Sequence, residues 1–354
     1  MLKNFWYACE FSSAVTHKPK QVKIFDLRFV LYRTSEGQVV ALKDQCPHRG
    51  AALSLGWVKD GCIHCPYHGW KFQADGRCTE IPANPPETSI SKRASVDSYP
   101  VQEKYGFIWL FYGDLPEEDR HPLPTLPEYV SGLHPVYYDC IENANYARVM
   151  EANLDFAHVI AVHKESFGQR IPLHKTIKYK VEEDDFSGVA TVNYDSLGNS
   201  KSLLNFLLGG RPQMTSKLSF FLPNFTLSEI SIGRNNGFDI KFVILVAHIP
   251  LNDNTTLIKR VLYRNFLTFP WLDNFFRKLD YKLAEEDASV VATLHTQPMP
   301  RISEEIHVAA DALALTYRKL WQKYIALGWG SELTATKSVG SNRQSVQVST
   351  SLVK

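Results

Sequence analysis

The chain has 354 residues, of which 44% are hydrophobic and 12% aromatic. That composition is typical of a globular protein, and the length favours two domains. The 39 basic and 37 acidic residues leave a formal net charge of only +2, so no strong field attracts nucleic acid or acidic lipid. Small molecules and protein partners remain as ligand classes.

The N-terminus and the apolar runs carry no targeting or spanning pattern. The first residues, MLKNFWYACEF, lack the features of an export signal. The longest apolar run, 242–249, is far shorter than the roughly 20 residues that span a bilayer. The six cysteines are too few for a secreted disulfide scaffold of this size. We therefore predict a cytoplasmic protein whose thiols serve as metal ligands.

Strand patterns dominate the first third of the chain. Residues 22–42 alternate around a Ser-Glu-Gly turn, which predicts a hairpin, and residues 105–112 predict a further strand. Five prolines and several acidic residues lie in 116–135 and indicate a linker. A first domain is predicted over residues 1–115.

The remainder mixes helix and strand patterns. A helix is predicted near 146–163, strands at 216–222 and 240–249, and a helix over 313–327 that Gly328 stops. These elements predict a second domain over residues 136–330. The tail, 331–354, is rich in Ser, Thr, Val and Lys without a pattern, which predicts disorder.

A first metal motif lies in two short loops. Residues 46–50 read CPHRG and residues 65–70 read CPYHGW. The candidate ligands are two thiols and two imidazoles, which bind either zinc or a [2Fe–2S] cluster. Each loop offers one ligand of each kind and a glycine after its histidine, an arrangement that favours the cluster. The predicted ligands are Cys46, His48, Cys65 and His68.

This motif resembles the Rieske domain of the non-haem iron oxygenases over roughly residues 5–115. A structural zinc site is one alternative. A Rieske electron carrier is another, although it needs only about the first third of the chain. Cytochrome bc-type Rieske proteins carry a disulfide between the two loops, and here those positions are Ala51 and Tyr67, so a respiratory role is not expected.

A second motif, D-x-x-H-x₄-H, comprises Asp155, His158 and His163. It resembles the catalytic segment of the same family, in which the two histidines bind Fe(II) and the aspartate links a catalytic histidine to the cluster of a neighbouring subunit. Five residues correspond to about 140° around a helix. Both histidines face one ion only if the helix is irregular, so we predict a break or π-bulge between Val159 and Val162.

A third iron ligand should be a distant carboxylate. The helical segment 279–295 offers three in a row, and residues three or four positions from Asp287 are mostly apolar. A carboxylate on an apolar face must be paired or bind a metal. Asp287 is therefore the predicted ligand, Glu286 is the alternative, and replacing Glu286 is expected to leave the iron in place. Relatives often carry Gln seven residues later, where this chain has Leu294 and its nearest glutamine is Gln297.

The resemblance implies an α+β fold, with an N-terminal Rieske β-domain followed by a helix-grip catalytic domain of antiparallel sheet and helices. It also implies a [2Fe–2S] cluster, mononuclear Fe(II), O₂ as co-substrate and a homotrimer. The chain carries no dinucleotide fingerprint. NAD(P)H is therefore expected to act only through a separate flavin reductase or ferredoxin.

The length resembles the α-only branch of the family, which includes dicamba, vanillate and caffeine demethylases and saxitoxin-pathway hydroxylases. That branch implies hydroxylation or oxidative demethylation of a small organic substrate, with arene cis-dihydroxylation as the alternative. One segment, NFLTFPWLDNFF at 265–276, is strongly aromatic. It indicates a core or pocket-wall segment, and a substrate lid or a shallow membrane contact is the alternative.

Overall fold

The computed structural model describes residues 1–164, 179–194, 213–233, 239–294 and 300–330. The predicted tail and Gln297 lie outside these ranges. Within them the fold is α+β, as predicted, with antiparallel sheets throughout and a few helices in the second half.

Short antiparallel strands build the first part of the chain. They pair in the orders β1-β11-β10, β2-β3-β4-β9 and β5-β6-β7-β8. The strands are β1 (Phe5–Phe11), β2 (Lys20–Ile24), β3 (Leu27–Arg33), β4 (Val39–Lys43), β5 (Trp57–Lys59), β6 (Cys62–His64), β7 (Lys71–Phe72), β8 (Cys78–Glu80), β9 (Ser98–Tyr99), β10 (Val101–Lys104) and β11 (Phe107–Tyr112).

The predicted hairpin is confirmed as β3 and β4, which pair across the turn containing Gly37 at φ +86°. A second hairpin was not predicted. It forms because Phe25 adopts φ +52°, which turns the chain between β2 and β3. Alternation alone does not reveal such a turn, since the apolar period continues through it.

The second part is built on a seven-stranded antiparallel sheet of order β12-β18-β17-β16-β15-β14-β13. Its strands are β12 (His134–Glu142), β13 (Val181–Glu183), β14 (Ser187–Tyr194), β15 (Gln213–Phe221), β16 (Phe225–Gly233), β17 (Ile240–Asn252) and β18 (Thr255–Arg264). The helices are α1 (Tyr146–Asn153), α2 (His158–Val162), α3 (Asp273–Val291) and α4 (Ala312–Ala326). None of them carries an apolar run of the length that crossing a bilayer requires.

The end of α4 follows the prediction at Gly328. This glycine adopts φ +78°, and its amide donates to the carbonyl of Ile325 at 2.9 Å. The next amide, that of Trp329, donates to the carbonyl of Tyr324 at 3.0 Å. This double hydrogen bond is the Schellman motif, which only a residue able to adopt positive φ terminates without strain.

One hydrophobic core joins the two parts of the chain. The rings of Trp109 in β11 and Phe225 in β16 lie 4.7 Å apart between centroids. Polar contacts cross the same junction, where Asn224 donates to the carbonyl of Ala8 at 3.0 Å and Lys259 pairs with the buried Glu10 at 2.6 Å. The β1 strand thus lies against the large sheet that positions the second motif.

The predicted irregularity between Val159 and Val162 is wrong. Residues 158–162 form the short regular helix α2, and the chain departs from helix before His158 and at His163. The interruption after α1 coincides with an Asx turn, in which the Asp155 carboxylate accepts the amide of Ala157 at 2.6 Å. His163 lies just past the helix end at φ −93° and ψ 24°, so its side chain no longer follows the 100° helical step.

Candidate metal centres

Two loops with the same backbone geometry carry the first motif. The first follows β4 and the second connects β6 to β7. In each loop the cysteine amide donates to the carbonyl five residues later, and a glycine amide donates back to the cysteine carbonyl. Gly50 has φ +75° and Gly69 has φ +71°, a conformation that favours glycine. The sequence similarity of the loops therefore reflects a common turn.

The candidate ligands of the two loops differ in exposure. Cys46 and Cys65 are buried, whereas His48 and His68 are exposed with ring centroids 4.7 Å apart. Burial raises the pKa of the Cys46 thiol to about 11, so its thiolate needs a positively charged partner such as iron. A cluster with thiolates on its buried iron and imidazoles on its outer iron suits this arrangement.

Aromatic rings fix the two imidazoles. Trp70 stacks on His48 at 4.8 Å between ring centroids, with 5° between the ring planes, and Tyr67 stacks on His68 at 3.9 Å. Stacking of this kind orients a ligand before the metal binds and reduces the freedom lost on binding. The exposed Tyr67 lies where a bc-type protein would have a disulfide cysteine.

The exposure of the donors distinguishes the two metal alternatives. A tetrahedral zinc ion would bring all four donors to one ion, whereas a Rieske-type [2Fe–2S] cluster has two thiolates on one iron and two imidazoles on the other. The buried Cys46 and Cys65 and the exposed His48 and His68 fit the second arrangement better.

We expect His48→Cys to leave a folded protein with a cluster of much lower potential. Thiolate in place of imidazole adds negative charge to the outer iron, and Rieske centres lie at roughly −150 to +300 mV against about −400 mV for all-cysteine plant-type clusters. Electron paramagnetic resonance and a redox titration measure the change. His17→Asn is the control, because His17 is exposed and lies outside the two cluster loops. An unchanged signal in His48→Cys would exclude His48 as a ligand.

The second motif converges with a carboxylate of α3. The Nε2 atoms of His158 and His163 lie 3.4 Å and 3.2 Å from the same Asp287 oxygen, Oδ1. His158 begins α2, His163 follows its end, and Asp287 lies in the last turns of α3, which packs against α2. Two imidazoles and one carboxylate are a donor set suited to Fe(II) with open positions. Their assignment as iron ligands stays a prediction.

The outer nitrogen of each imidazole has its own acceptor. Nδ1 of His158 donates to the carbonyl of Asp155 at 2.8 Å, and Nδ1 of His163 donates to the Glu286 carboxylate at 2.7 Å. These bonds select the tautomer that leaves both Nε2 lone pairs facing Asp287. The rings are therefore oriented for a cation without any rearrangement.

Charges around the site favour a bound cation. Burial would raise the pKa of Asp287, but the hydrogen bonds and charge of His158 and His163 outweigh it and lower this pKa far below its usual range. Burial would likewise lower the pKa of His163, whereas Asp287 and Glu286 raise it. The site thus stabilises positive charge on the imidazole of His163, and a divalent metal can replace that protonic charge.

Asp155 contributes its backbone, and not its carboxylate, to His158 within one chain. Carboxylate oxygen Oδ1 accepts the Ala157 amide, while Oδ2 lies 4.0 Å from Nδ1 of His158. Burial is the largest influence on the pKa of this carboxyl group and raises it. The side chain is nevertheless partly exposed. The link from Asp155 to a neighbouring subunit stays a prediction, and it would have to use the exposed part of the carboxylate.

Glu286 acquires a role that sequence reasoning missed. Its helical face carries polar residues, which placed it on the surface, but α2 covers this part of α3 and brings His163 to it. No signal within the 279–295 segment reveals this contact, because it depends on how two distant helices pack. The expectation that Glu286 can be replaced without affecting iron is accordingly revised.

We expect Glu286→Ala to weaken Fe(II) binding by about 10- to 100-fold, the usual cost of losing a group that orients a ligand. The Fe(II) affinity of Glu286→Gln should lie between that of Glu286→Ala and that of the parent protein. Its amide oxygen still accepts a hydrogen bond from Nδ1 of His163 but carries no charge. Titration of the iron-depleted protein with Co(II) or Fe(II) measures the affinity. Glu285→Ala, at the exposed neighbouring position, is the control. Equal affinities in Glu286→Ala and the control would exclude the positioning role.

A buried ion pair supports α3 about two turns before Asp287. Arg260 of β18 lies 3.4 Å from Asp280, and both side chains are buried. Burial raises the pKa of nearby Glu142 to about 7, against the opposing effect of Arg260. The pairing fixes α3 against the sheet, and removing either member would leave an uncompensated buried charge.

A cavity of about 340 Å³ opens beside the converging donors. Its lining includes Asp155, His158 and Asp287 and the apolar side chains of Val290, Val291 and Leu294. It also includes two arginines and two glutamates that pair with one another at 2.6–3.0 Å: Arg148, Glu151, Glu305 and Arg318. Since these charges cancel, the cavity does not attract an anion by net charge.

Comparisons with known families agree with both motifs. The family of Rieske [2Fe-2S] domains matches residues 5–100, and the vanillate O-demethylase oxygenase C-terminal domain matches residues 142–327. The second match alone covers more than half of the chain. The first includes the four candidate cluster ligands, and the second includes Asp155, His158, His163 and Asp287.

Individual proteins are similar over part or all of the chain. The 4beta-methylsterol monooxygenase of Methylococcus capsulatus is 37% identical over 179 residues, which are 48% of this chain and 48% of that protein. The vanillate O-demethylase oxygenase subunit of a Pseudomonas species is 33% identical over 187 residues, 51% of each. The chain thus spans about half the length of these curated relatives. A crystal structure of dicamba monooxygenase bound to 3,6 dichlorosalicylic acid shares the fold, with 22% identity and a TM-score of 0.78 over 93% of this chain and 98% of that one.

Proposed function

The chain belongs to the Rieske non-haem iron oxygenases with a vanillate O-demethylase type catalytic domain, and from this premise we propose that it hydroxylates or oxidatively demethylates a small organic substrate. O₂ is the co-substrate, and a separate reductase or ferredoxin delivers the electrons. One observation carries the proposal: two imidazole nitrogens and one carboxylate oxygen face one point beside a cavity large enough for a small molecule.

The protein side chains divide into ligands and groups that orient them. Cys46, His48, Cys65 and His68 would hold the cluster, and His158, His163 and Asp287 would hold Fe(II). When bound, Fe(II) supplies open positions for O₂ and the cluster supplies a further electron. The Asp155 carbonyl and the Glu286 carboxylate keep both catalytic imidazoles aimed at one point. Val290, Val291 and Leu294 add apolar surface to the lining of the cavity beside this point.

Electron transfer is proposed to occur between subunits of a homotrimer. The exposed His68 imidazole and the partly exposed Asp155 carboxylate are complementary, since the carboxylate can accept the imidazole N–H of a neighbouring subunit. A head-to-tail ring brings every such pair together by one repeated contact. We likewise propose domain limits of 1–115 and 136–330, joined by the linker 116–135.

The matched catalytic family favours demethylation or hydroxylation over arene cis-dihydroxylation. An electron carrier would need only the cluster, and the second donor set would then have no purpose. Demethylation and hydroxylation give different products. Hydroxylation of an O- or N-methyl group leads to release of formaldehyde, whereas hydroxylation elsewhere retains every carbon of the substrate. Product analysis therefore distinguishes them.

The test is product formation by the full chain with a reductase, NADH and O₂. Candidate substrates are aryl methyl ethers, N-methyl heterocycles and sterol-like methyl compounds. Formaldehyde release and a mass gain of one oxygen are measured. We expect oxygen incorporation from O₂ for at least one class, and none in Asp287→Ala. NADH oxidation that passes only to an added electron acceptor, with identical rates in Asp287→Ala, would favour the carrier.

A further inference from the structure

The aromatic segment 265–276 has two opposite faces, and most of it does not line the core or a pocket. Phe266 and Phe276 turn inward and pack edge to face at 5.6 Å between ring centroids. Four large apolar side chains between them are exposed: Leu267 (53%), Phe269 (57%), Trp271 (75%) and Phe275 (59%). These four side chains are referred to below as the aromatic protrusion. Contiguous exposed apolar surface of this kind marks an interaction site more often than chance exposure.

A fully buried arginine holds the protrusion in place. Arg264 donates from Nε and Nη2 to the carbonyl of Leu267 at 3.2 Å and pairs with Asp273 at 2.6 Å. Its guanidinium also lies 4.2 Å above the ring of Phe276, and Asp273 accepts a further bond from His134 at 2.9 Å. Because Arg264 binds both Leu267 and Asp273, the backbone of the segment is fixed and the exposed rings cannot turn into the core.

Charge next to the protrusion has one sign. The exposed charged residues of the first three turns of α3, residues 273–283, are Arg277, Lys278 and Lys282. The acidic residues in the same stretch, Asp273 and Asp280, are turned toward the arginines with which they pair. Aromatic side chains beside exposed lysine and arginine are the combination that binds the interfacial region of an anionic bilayer.

The lid alternative does not fit the position of the protrusion. Asp273 and Asp287 are fourteen residues apart on α3, which is about 21 Å along a helix. The lining of the cavity beside Asp287 includes no residue of the protrusion. The core or pocket-wall interpretation drawn from sequence is therefore wrong for the exposed residues, whereas Phe266, Leu272 and Phe276 pack in the core.

We propose that the aromatic protrusion and its three cations form a peripheral docking surface for an anionic lipid bilayer. The rings enter the interfacial region, and Arg277, Lys278 and Lys282 contact lipid phosphates. Arg277 donates to the neutral Tyr137 carbonyl and Asn274 side chain, so its charge is not neutralised by these contacts. The charge pattern argues against an apolar protein partner as the occupant, since Arg277, Lys278 and Lys282 would need acidic groups opposite them. This proposal goes beyond the oxygenase function and does not depend on it.

Co-sedimentation of the full chain with vesicles tests the proposal. We expect binding to equimolar phosphatidylcholine and phosphatidylglycerol, and at least about tenfold weaker binding to phosphatidylcholine alone. Phe269→Ser/Trp271→Ser should weaken binding by about tenfold or more, and Lys278→Glu/Lys282→Glu by a similar factor. Brominated lipid should quench the fluorescence of the parent protein more than that of Trp271→Phe, because Trp271 enters the interface.

Matched variants separate this surface from general effects. Lys92→Glu/Arg93→Glu makes the same charge change at exposed positions of the first part of the chain, and Ile141→Ser removes another exposed apolar side chain. Both should bind vesicles like the parent. Equal loss in these controls, or no binding by the parent protein, would overturn the proposal. So would a change in sedimentation velocity of Phe269→Ser/Trp271→Ser without lipid, since it would assign the protrusion to contacts between copies of the chain.

Discussion

Asp287→Ala is expected to remove mononuclear iron and abolish turnover while leaving the Rieske signal intact. Within the part of the chain that the structure describes, this carboxylate alone faces both Nε2 atoms, at 3.4 Å and 3.2 Å. Losing a group that merely orients a ligand costs about 10- to 100-fold, so losing a ligand should reduce product formation by more than about 100-fold. Iron analysis and the visible spectrum of the cluster are measured on the same sample.

The control for Asp287→Ala must preserve the helix and its packing. Asp287→Asn keeps the shape of the side chain but not its charge, and it should also bind iron poorly because an amide is a weaker ligand for Fe(II). Glu285→Ala should retain iron and activity, since that side chain is exposed on the same helix. Retention of about one mononuclear iron per chain by Asp287→Ala would move the third ligand elsewhere.

Asp155→Asn is expected to keep both metal sites and lower product formation by about 100-fold. The substitution suits the local structure, because an asparagine oxygen can still accept the Ala157 amide and the backbone carbonyl still accepts from His158. What it removes is the negative charge and one acceptor site toward a neighbouring imidazole. The effect should therefore appear in electron transfer and not in metal content.

Oxidation of the pre-reduced cluster by O₂, in the presence of the substrate, measures that transfer directly. Asp155→Asn should slow it to the rate of Asp287→Ala, which lacks the receiving iron. Asp155→Ala also breaks the Asx turn. This variant should therefore lose mononuclear iron as well as fast electron transfer. A normal oxidation rate in Asp155→Asn, or full activity in a monomer, would exclude both the bridge and the trimer-based account of electron delivery.

The cluster loops could be predicted from sequence because every determinant is local. Each loop carries its cysteine, histidine and glycine within five residues, and the glycines are needed for turns that the loops form by themselves. The position of Asp287 beside the two histidines was also accessible, since a carboxylate on the apolar side of a helix needs a partner. Helical periodicity is a local property, and α3 is regular over this stretch.

The contacts made between distant elements could not be predicted. Whether Glu286 meets His163 depends on the docking of α2 on α3, which no pattern within either helix specifies. The interruption before His158 was misplaced for a different reason. It depends on a side-chain bond from Asp155 to Ala157, and the family resemblance had assigned that aspartate to another role. Exposure of Trp271 and Phe275 was missed because aromatic residues usually indicate a core.

The count of iron and acid-labile sulfide per chain tests the central claim most directly. The protein is purified anaerobically, loaded with Fe(II), freed of excess metal and analysed together with Asp287→Ala. The account predicts about three irons and about two sulfides in the parent, against about two irons and about two sulfides in the variant. About two irons in both proteins, or zinc in place of iron and sulfide, would contradict it.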